Sequence, residues 1–147
     1  SRPMHKNLWR GVILASMLSS TNSGHARPVI EPCPDKPNCV SSLATDTRHF
    51  IEPLQFTGEP AGAWARLKTV LLQQPRTRIV AERDGYIHAE FRSLVLRFVD
   101  DVEFVLRAEQ MAIDVRSASR TGYSDLGVNR RRVERLRKRF TELEPPG

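Results

Sequence analysis

The stretch TRIVAER (77–83), DG (84–85) and YIHAEFR (86–92) decides the fold. Asp84-Gly85 stands between two runs rich in β-branched and aromatic residues. That is the pattern of a two-residue hairpin turn, in which glycine supplies left-handed backbone without steric cost. In the second run Ile87, Ala89 and Phe91 alternate with Tyr86, His88, Glu90 and Arg92. A period of two puts these sets on opposite faces, one apolar and one polar. A strand of this kind belongs to a sheet covered on one side only.

Working outward, Leu94 to Phe98 is apolar and reads either as a short buried strand or as a crossing link. From Val102 the alternation returns: Val102, Phe104 and Leu106 against Glu103, Val105 and Arg107. Ala108-Glu109-Gln110 turns the chain into a last strand, Met111 to Ser119, with Ile113 and Val115 opposite Asp114 and Arg116. Strands joined by short links pair antiparallel. A helix opens at Pro60, with Trp64, Leu67 and Leu71 on one face beside Val70, and Pro75 stops it after Gln74. A second helix starts between Asp125 and Asn129 and ends near Leu143, with Val133, Leu136, Phe140 and Leu143 at helical spacing. Residues 60–144 are thus expected to form an α+β domain. Its form is a two-layer sandwich, an antiparallel meander sheet with two helices on one face.

Residues 27–59 are rich in Pro, Ser, Thr and Asn without sustained periodicity. They read as an irregular segment wrapped over the domain. Before them, His5 to Arg10 is basic, Gly11 to Ser20 is mildly apolar, and Gly24-His25-Ala26 is small-x-small. This order makes residues 1–26 a secretory signal peptide, with Met4 as the expected initiator. The sequence before Cys33, Ile30-Glu31-Pro32, lacks the small residues of a lipidation site. An exported chain meets an oxidising compartment, where Cys33 and Cys39, the two cysteines of the chain, pair. Five residues separate them where a redox-active pair usually has two, and a zinc site needs more ligands than the nearby His49 supplies. The pair is therefore expected to be a structural disulfide pinning residues 27–59.

The 147 residues suffice for one domain with a core, and 39% hydrophobic content excludes a disordered chain. No apolar run reaches the roughly 20 residues of a membrane-spanning helix. Of the +6 formal charge, Arg2, Lys6 and Arg10 belong to the signal, which leaves 20 basic and 17 acidic groups after cleavage. Residues 120–139 hold eight basic groups against Asp125 and Glu134.

Three stretches carry a resemblance: Cys33-Pro-Asp-Lys-Pro-Asn-Cys39-Val-Ser-Ser42; His88-Ala-Glu-Phe-Arg-Ser93 with Phe98-Val-Asp-Asp-Val-Glu-Phe104; and Arg116-Ser-Ala-Ser-Arg-Thr-Gly-Tyr-Ser-Asp-Leu-Gly-Val-Asn-Arg-Arg-Arg132. Over about residues 31–140 the chain resembles the family called domain of unknown function 1499. The resemblance implies a bacterial or plastid-type protein, often exported or attached to a membrane segment. It implies no activity.

Several constellations are candidates for function. The polar sheet face gathers His88, Glu90, Arg92, Asp101, Glu103, Asp114 and Arg116, and His88 is its natural general base. The simpler reading is a half-solvated face whose charges pair across strands. A metal held by His88, Asp101 and Glu103 has no specific spacing behind it, and Arg92 and Arg116 compete for the same oxygens, so neither metal nor cofactor is expected. The loop Ser117 to Arg130 leads into a helix N-terminus. Its Ser119, Arg120, Ser124 and Arg130 suit an anion, with His88 at the rim. Against this, Ser124 or Asp125 suits the helix cap and would fill the same position. A triad of Ser117, Ser119 or Ser124 with His88 and Asp100 or Asp101 lacks a nucleophile-elbow motif. The basic run from Arg130 to Arg139 could track an anionic membrane surface, and its simpler reading is the solvated face of an amphipathic helix. Nucleic acid is excluded as a partner by export and by the lack of interleaved aromatics.

The expectation is an exported periplasmic or cell-envelope protein with non-catalytic binding of an anionic small molecule, a lipid head group or an envelope protein. The alternatives are a hydrolase using His88 as base, and a structural accessory subunit without ligand.

Overall fold

A computed structural model describes residues 28–147, so the expected signal peptide lies outside the described residues. Two short strands come first, β1 (Cys39–Ser41) and β2 (Leu54–Gln55), then helix α1 (Pro60–Leu72). Strands β3 (Thr77–Arg83), β4 (Tyr86–Arg92) and β5 (Val99–Arg107) follow. A 3-10 turn (Ala108–Gln110), β6 (Ala112–Ser119) and helix α2 (Val128–Glu142) complete the chain. The sheet runs β1-β6-β5-β4-β3 with β2 also on β6, and every pairing of these strands is antiparallel. The Asp84-Gly85 turn closes β3 onto β4 through Arg83 and Tyr86, with Gly85 in the left-handed region at φ 68°.

Both helices cover one face. Leu67, Val70 and Leu71 of α1 and Val133, Leu136 and Phe140 of α2 pack against Ile87, Phe91, Phe104 and Val115 in one core. Burying each such side chain contributes roughly 1.5–3 kcal/mol, which is why an apolar sheet face demands two apolar helix stripes. The Arg66 guanidinium lies 4.1 Å from the Phe140 ring centroid, joining the helices by a cation–π contact. The structure is the two-layer α+β sandwich.

Three local readings change. The segment before Pro60 supplies β1 and β2, each of two or three residues and too short to show a period. Leu94 to Phe98 is neither a buried strand nor a covered link. It forms an exposed loop between β4 and β5, closed at its neck by Ser93 N to Phe98 O (2.9 Å) and Phe98 N to Ser93 Oγ (2.9 Å). The basic run of α2 is only partly a solvated face. Arg130 donates to the carbonyls of Arg48 and Phe50, and Arg137 to those of Glu52 and Pro53, while Arg132 is buried. Arg130 and Arg137 hold the β1–β2 connection against the helix.

The second sheet face is crossed by the N-terminal segment. Ile30 packs with Tyr86, Val105 and Ala81, and Arg116 Nη2 donates to Pro32 O at 3.4 Å. Cys33 and Cys39 are disulfide-bonded, Cα atoms 5.7 Å apart. That ties this segment to β1.

Candidate functional site

The site begins with an irregularity in the β3–β4 ladder. Counting from the turn, Arg83 faces Tyr86, Glu82 faces Ile87 and Ala81 faces His88. The register then shifts between Ile79 and Ala81, so that Arg78 faces Glu90. A bulge of one residue turns the following side chains to the other face. It puts Arg78 on the open face with Glu90 and His88.

Arg120 reaches the same place from β6. Its backbone N–H is bonded to Val99 O, which fixes it at the end of the strand. Its guanidinium then crosses β5. Nη2 donates to Glu90 Oε1 at 2.7 Å and to Asp101 Oδ1 at 2.9 Å, and Nε donates to Asp101 Oδ2 at 2.8 Å. Arg78 Nη2 lies 3.4 Å and Arg92 Nη2 3.7 Å from Glu90 Oε2. His88 Nε2 donates to Asp101 Oδ1 at 2.7 Å. Three guanidinium groups therefore surround one carboxylate, and a histidine shares the second.

The charges respond accordingly. The hydrogen bond from Arg120 holds Glu90 below its ordinary value despite some desolvation, with help from Arg78. Burial pushes Asp101 up, but hydrogen bonds from Arg120 and His88 outweigh it and leave that carboxyl lowered. The carboxylates in turn raise the guanidinium of Arg120. Further along the face, Tyr86 donates to Glu103 Oε2 at 2.7 Å, and burial with that partner raises the phenol to about 12. Arg116 Nη1 lies 3.8 Å from Glu103, and Arg107 bonds Asp114 at 2.7 Å. Cross-strand pairing is thus the rule on this face.

The arginine cluster is still not saturated. A guanidinium has five N–H donors and matches carboxylate or phosphate geometry. The side chains of Arg78, Arg92 and Arg120 stay between 43% and 71% exposed. Three cations face two carboxylates here, with donors left toward solvent.

Of the residues singled out in the sequence, the structure brings His88 and Arg120 together through Asp101. Ser119, Ser124 and Arg130 lie apart. Alternation along β6 turns Ser117 and Ser119 to the helix side, where Asn129 bonds both. Asp125 accepts from the N–H groups of Gly127 and Asn129 and so occupies the start of α2, while Ser124 Oγ accepts from Leu126 N. Arg130 is engaged with the β1–β2 connection. Neither Ser117 nor Ser119 shares a face with the His88–Asp101 pair, so no triad forms from them. Asp100 points to the helix side, to Arg132. Among the described residues no group of three or more His, Cys, Asp or Glu is placed to hold a metal ion. Sequence reading missed Arg78 altogether. It placed Arg92 on the polar face only as a competitor for the carboxylate oxygens. The one signal for Arg78 was its distance from the Asp84-Gly85 turn, and an unbulged register would have paired it with Phe91.

A concavity of about 680 Å³ lies at the opposite end of the domain, beside Thr57, Glu59, Arg66 and Glu144. It contains none of the candidate residues. Among the described residues no helix is long and apolar enough to cross a membrane.

No curated protein and no solved structure matches the chain. A family model does, and it spans residues 29–140, which include the disulfide, the bulged hairpin and the arginine cluster. The chain therefore belongs to the family described as protein of unknown function (DUF1499).

Proposed function

We propose that this is an exported, non-catalytic envelope protein that binds an anionic ligand at Arg78, Arg92 and Arg120, with His88 at the rim. The observation that carries the reading is the convergence of three half-exposed guanidinium groups on Glu90. A phosphate or carboxylate would take up the donors that Glu90 and Asp101 leave unused. The basic, apolar and small-x-small order of residues 5–26 supports export, and so does a structural disulfide, which persists in oxidising compartments. The expected processed N-terminus is Arg27, read by N-terminal sequencing of protein from the host envelope. An intact N-terminus in the cytoplasm would count against export.

Binding is tested by thermal stabilisation with a panel of phosphorylated and carboxylated metabolites and head groups. Arg92→Ala is the cleaner variant, since Arg120 also holds the sheet face together. Losing one charge-assisted bond of about 1.5–3 kcal/mol weakens binding about tenfold or more. Lys138→Ala, on the exposed side of α2, leaves it unchanged. Equal losses in both variants would mean diffuse attraction, and no stabilisation by any compound would favour an accessory subunit. The hydrolase alternative has the His88–Asp101 hydrogen bond in its favour. Turnover of any panel ester that disappears in His88→Gln would replace binding with catalysis.

A further inference from the structure

We propose that the end of the sheet next to the arginine cluster is a wedge that inserts into anionic lipid bilayers, which makes a lipid phosphate the anion of the site. The identity of the anion rests on the binding reading above; the wedge rests on a separate observation. Leu94, Val95, Leu96 and Phe98 stand on the β4–β5 loop, and Tyr123 and Leu126 on the loop leaving β6, each between 53% and 84% exposed. The two loops are neighbours: Ser119 faces Asp100, and Arg120 N is bonded to Val99 O. Single exposed leucines are ordinary, but four large apolar side chains on one five-residue loop tip, with two more on a loop whose stem adjoins it, are of the kind that marks an interaction surface.

Charge selects the occupant. Residues 93–98 and 72–76 contain no acid. Arg97 lies within the wedge, Arg92 at its base, and Arg76 beside Arg92, whose carbonyl accepts from Arg76 Nε at 3.2 Å. The acid of the second loop, Asp125, is taken up at the start of α2. An apolar wedge ringed by arginines matches an anionic bilayer, where apolar burial and attraction to the surface add. A tyrosine at the margin suits the head-group level. The loop backbone cannot enter hydrocarbon without leaving polar groups unpaired, so insertion is shallow. A second copy of this chain is the poorer occupant, because a two-fold contact would oppose the same arginines.

The test uses the full chain, so that anything contributed by residues 1–27 is common to every variant. Sedimentation with vesicles of phosphatidylcholine and phosphatidylglycerol in equal parts is compared with pure phosphatidylcholine, and glycerol phosphate binding is measured in parallel by thermal stabilisation. The wild type is expected to partition about tenfold more strongly to the mixed vesicles. Val95→Asp, fully folded by circular dichroism because Val95 is exposed, is expected to lose about tenfold of that partitioning while keeping glycerol phosphate binding. Undiminished partitioning of Val95→Asp overturns the wedge and spares the anion site. Glycerol phosphate binding without vesicle binding does the same. Failure of both ligands overturns both readings. Concentration-dependent dimers abolished by Val95→Asp would assign the patch to a second copy and overturn the wedge.

Discussion

Arg132 of α2 and Asp100 of β5 form an ion pair between the helix and sheet layers, both side chains about nine-tenths buried. Arg132 Nη1 also donates to Asn129 Oδ1 at 2.8 Å and to Ser117 Oγ at 3.2 Å, and the guanidinium lies 4.9 Å from the Phe91 centroid. Burial lowers the guanidinium pKa, and Asp100 opposes that shift. One member of the basic run on α2 is thus part of the core, and its carboxylate fixes where the helix sits on the sheet.

Removing one partner of a buried pair leaves a charge without compensation. Asp100→Ala is expected to lower stability by about 3–5 kcal/mol. Asp100→Ala combined with Arg132→Met is expected to lose less than Asp100→Ala alone, since both charges are then gone. Urea unfolding of both variants measures the difference, and equal midpoints would show that the cost is packing instead of charge.

The arginine cluster makes stability depend on acid pH. Glu90 and Asp101 both have lowered pKa values in the folded chain. Groups of this sign contribute stability that is complete above their unfolded values, about 4, and lost as pH falls through the folded ones. In Arg120→Met, Glu90 is expected to titrate nearer its ordinary value, and the fall of stability below pH of about 4 becomes shallower. Carbon-13 carboxyl shifts of Glu90 followed against pH give the first readout, and urea unfolding at each pH the second. An unmoved Glu90 would mean that Arg78 and Arg92 hold it without Arg120.

The disulfide closes a short ring, Cys33 to Cys39. Loop entropy assigns such a ring about 2 kcal/mol, so Cys33→Ser is expected to unfold at correspondingly lower urea. Alkylation of denatured, non-reduced envelope protein is expected to find no free thiol. Two free thiols would refute the pairing in the cell.

The sequence by itself determined the layers. The alternation of Tyr86 to Arg92 and of Val102 to Arg107, the Asp84-Gly85 turn and the apolar stripes of both helices each follow from local chemistry, because strand and helix periods sort side chains before any long-range contact forms. The closeness of Cys33 to Cys39 was legible for the same reason. His88 and Arg120 stood out as polar groups, but what they do depends on partners far away in the chain. Only the tertiary structure decided that the bulge between Ile79 and Ala81 turns Arg78 toward Glu90, that Arg120 crosses β5 to reach Glu90 and Asp101, and that Arg132 goes inside to Asp100. A one-residue register shift costs little locally yet exchanges the faces of every residue beyond it, so its choice rests on the packing of the whole sheet. Charges distant in sequence carry no period, and they find one another only when the strands that bear them are laid side by side.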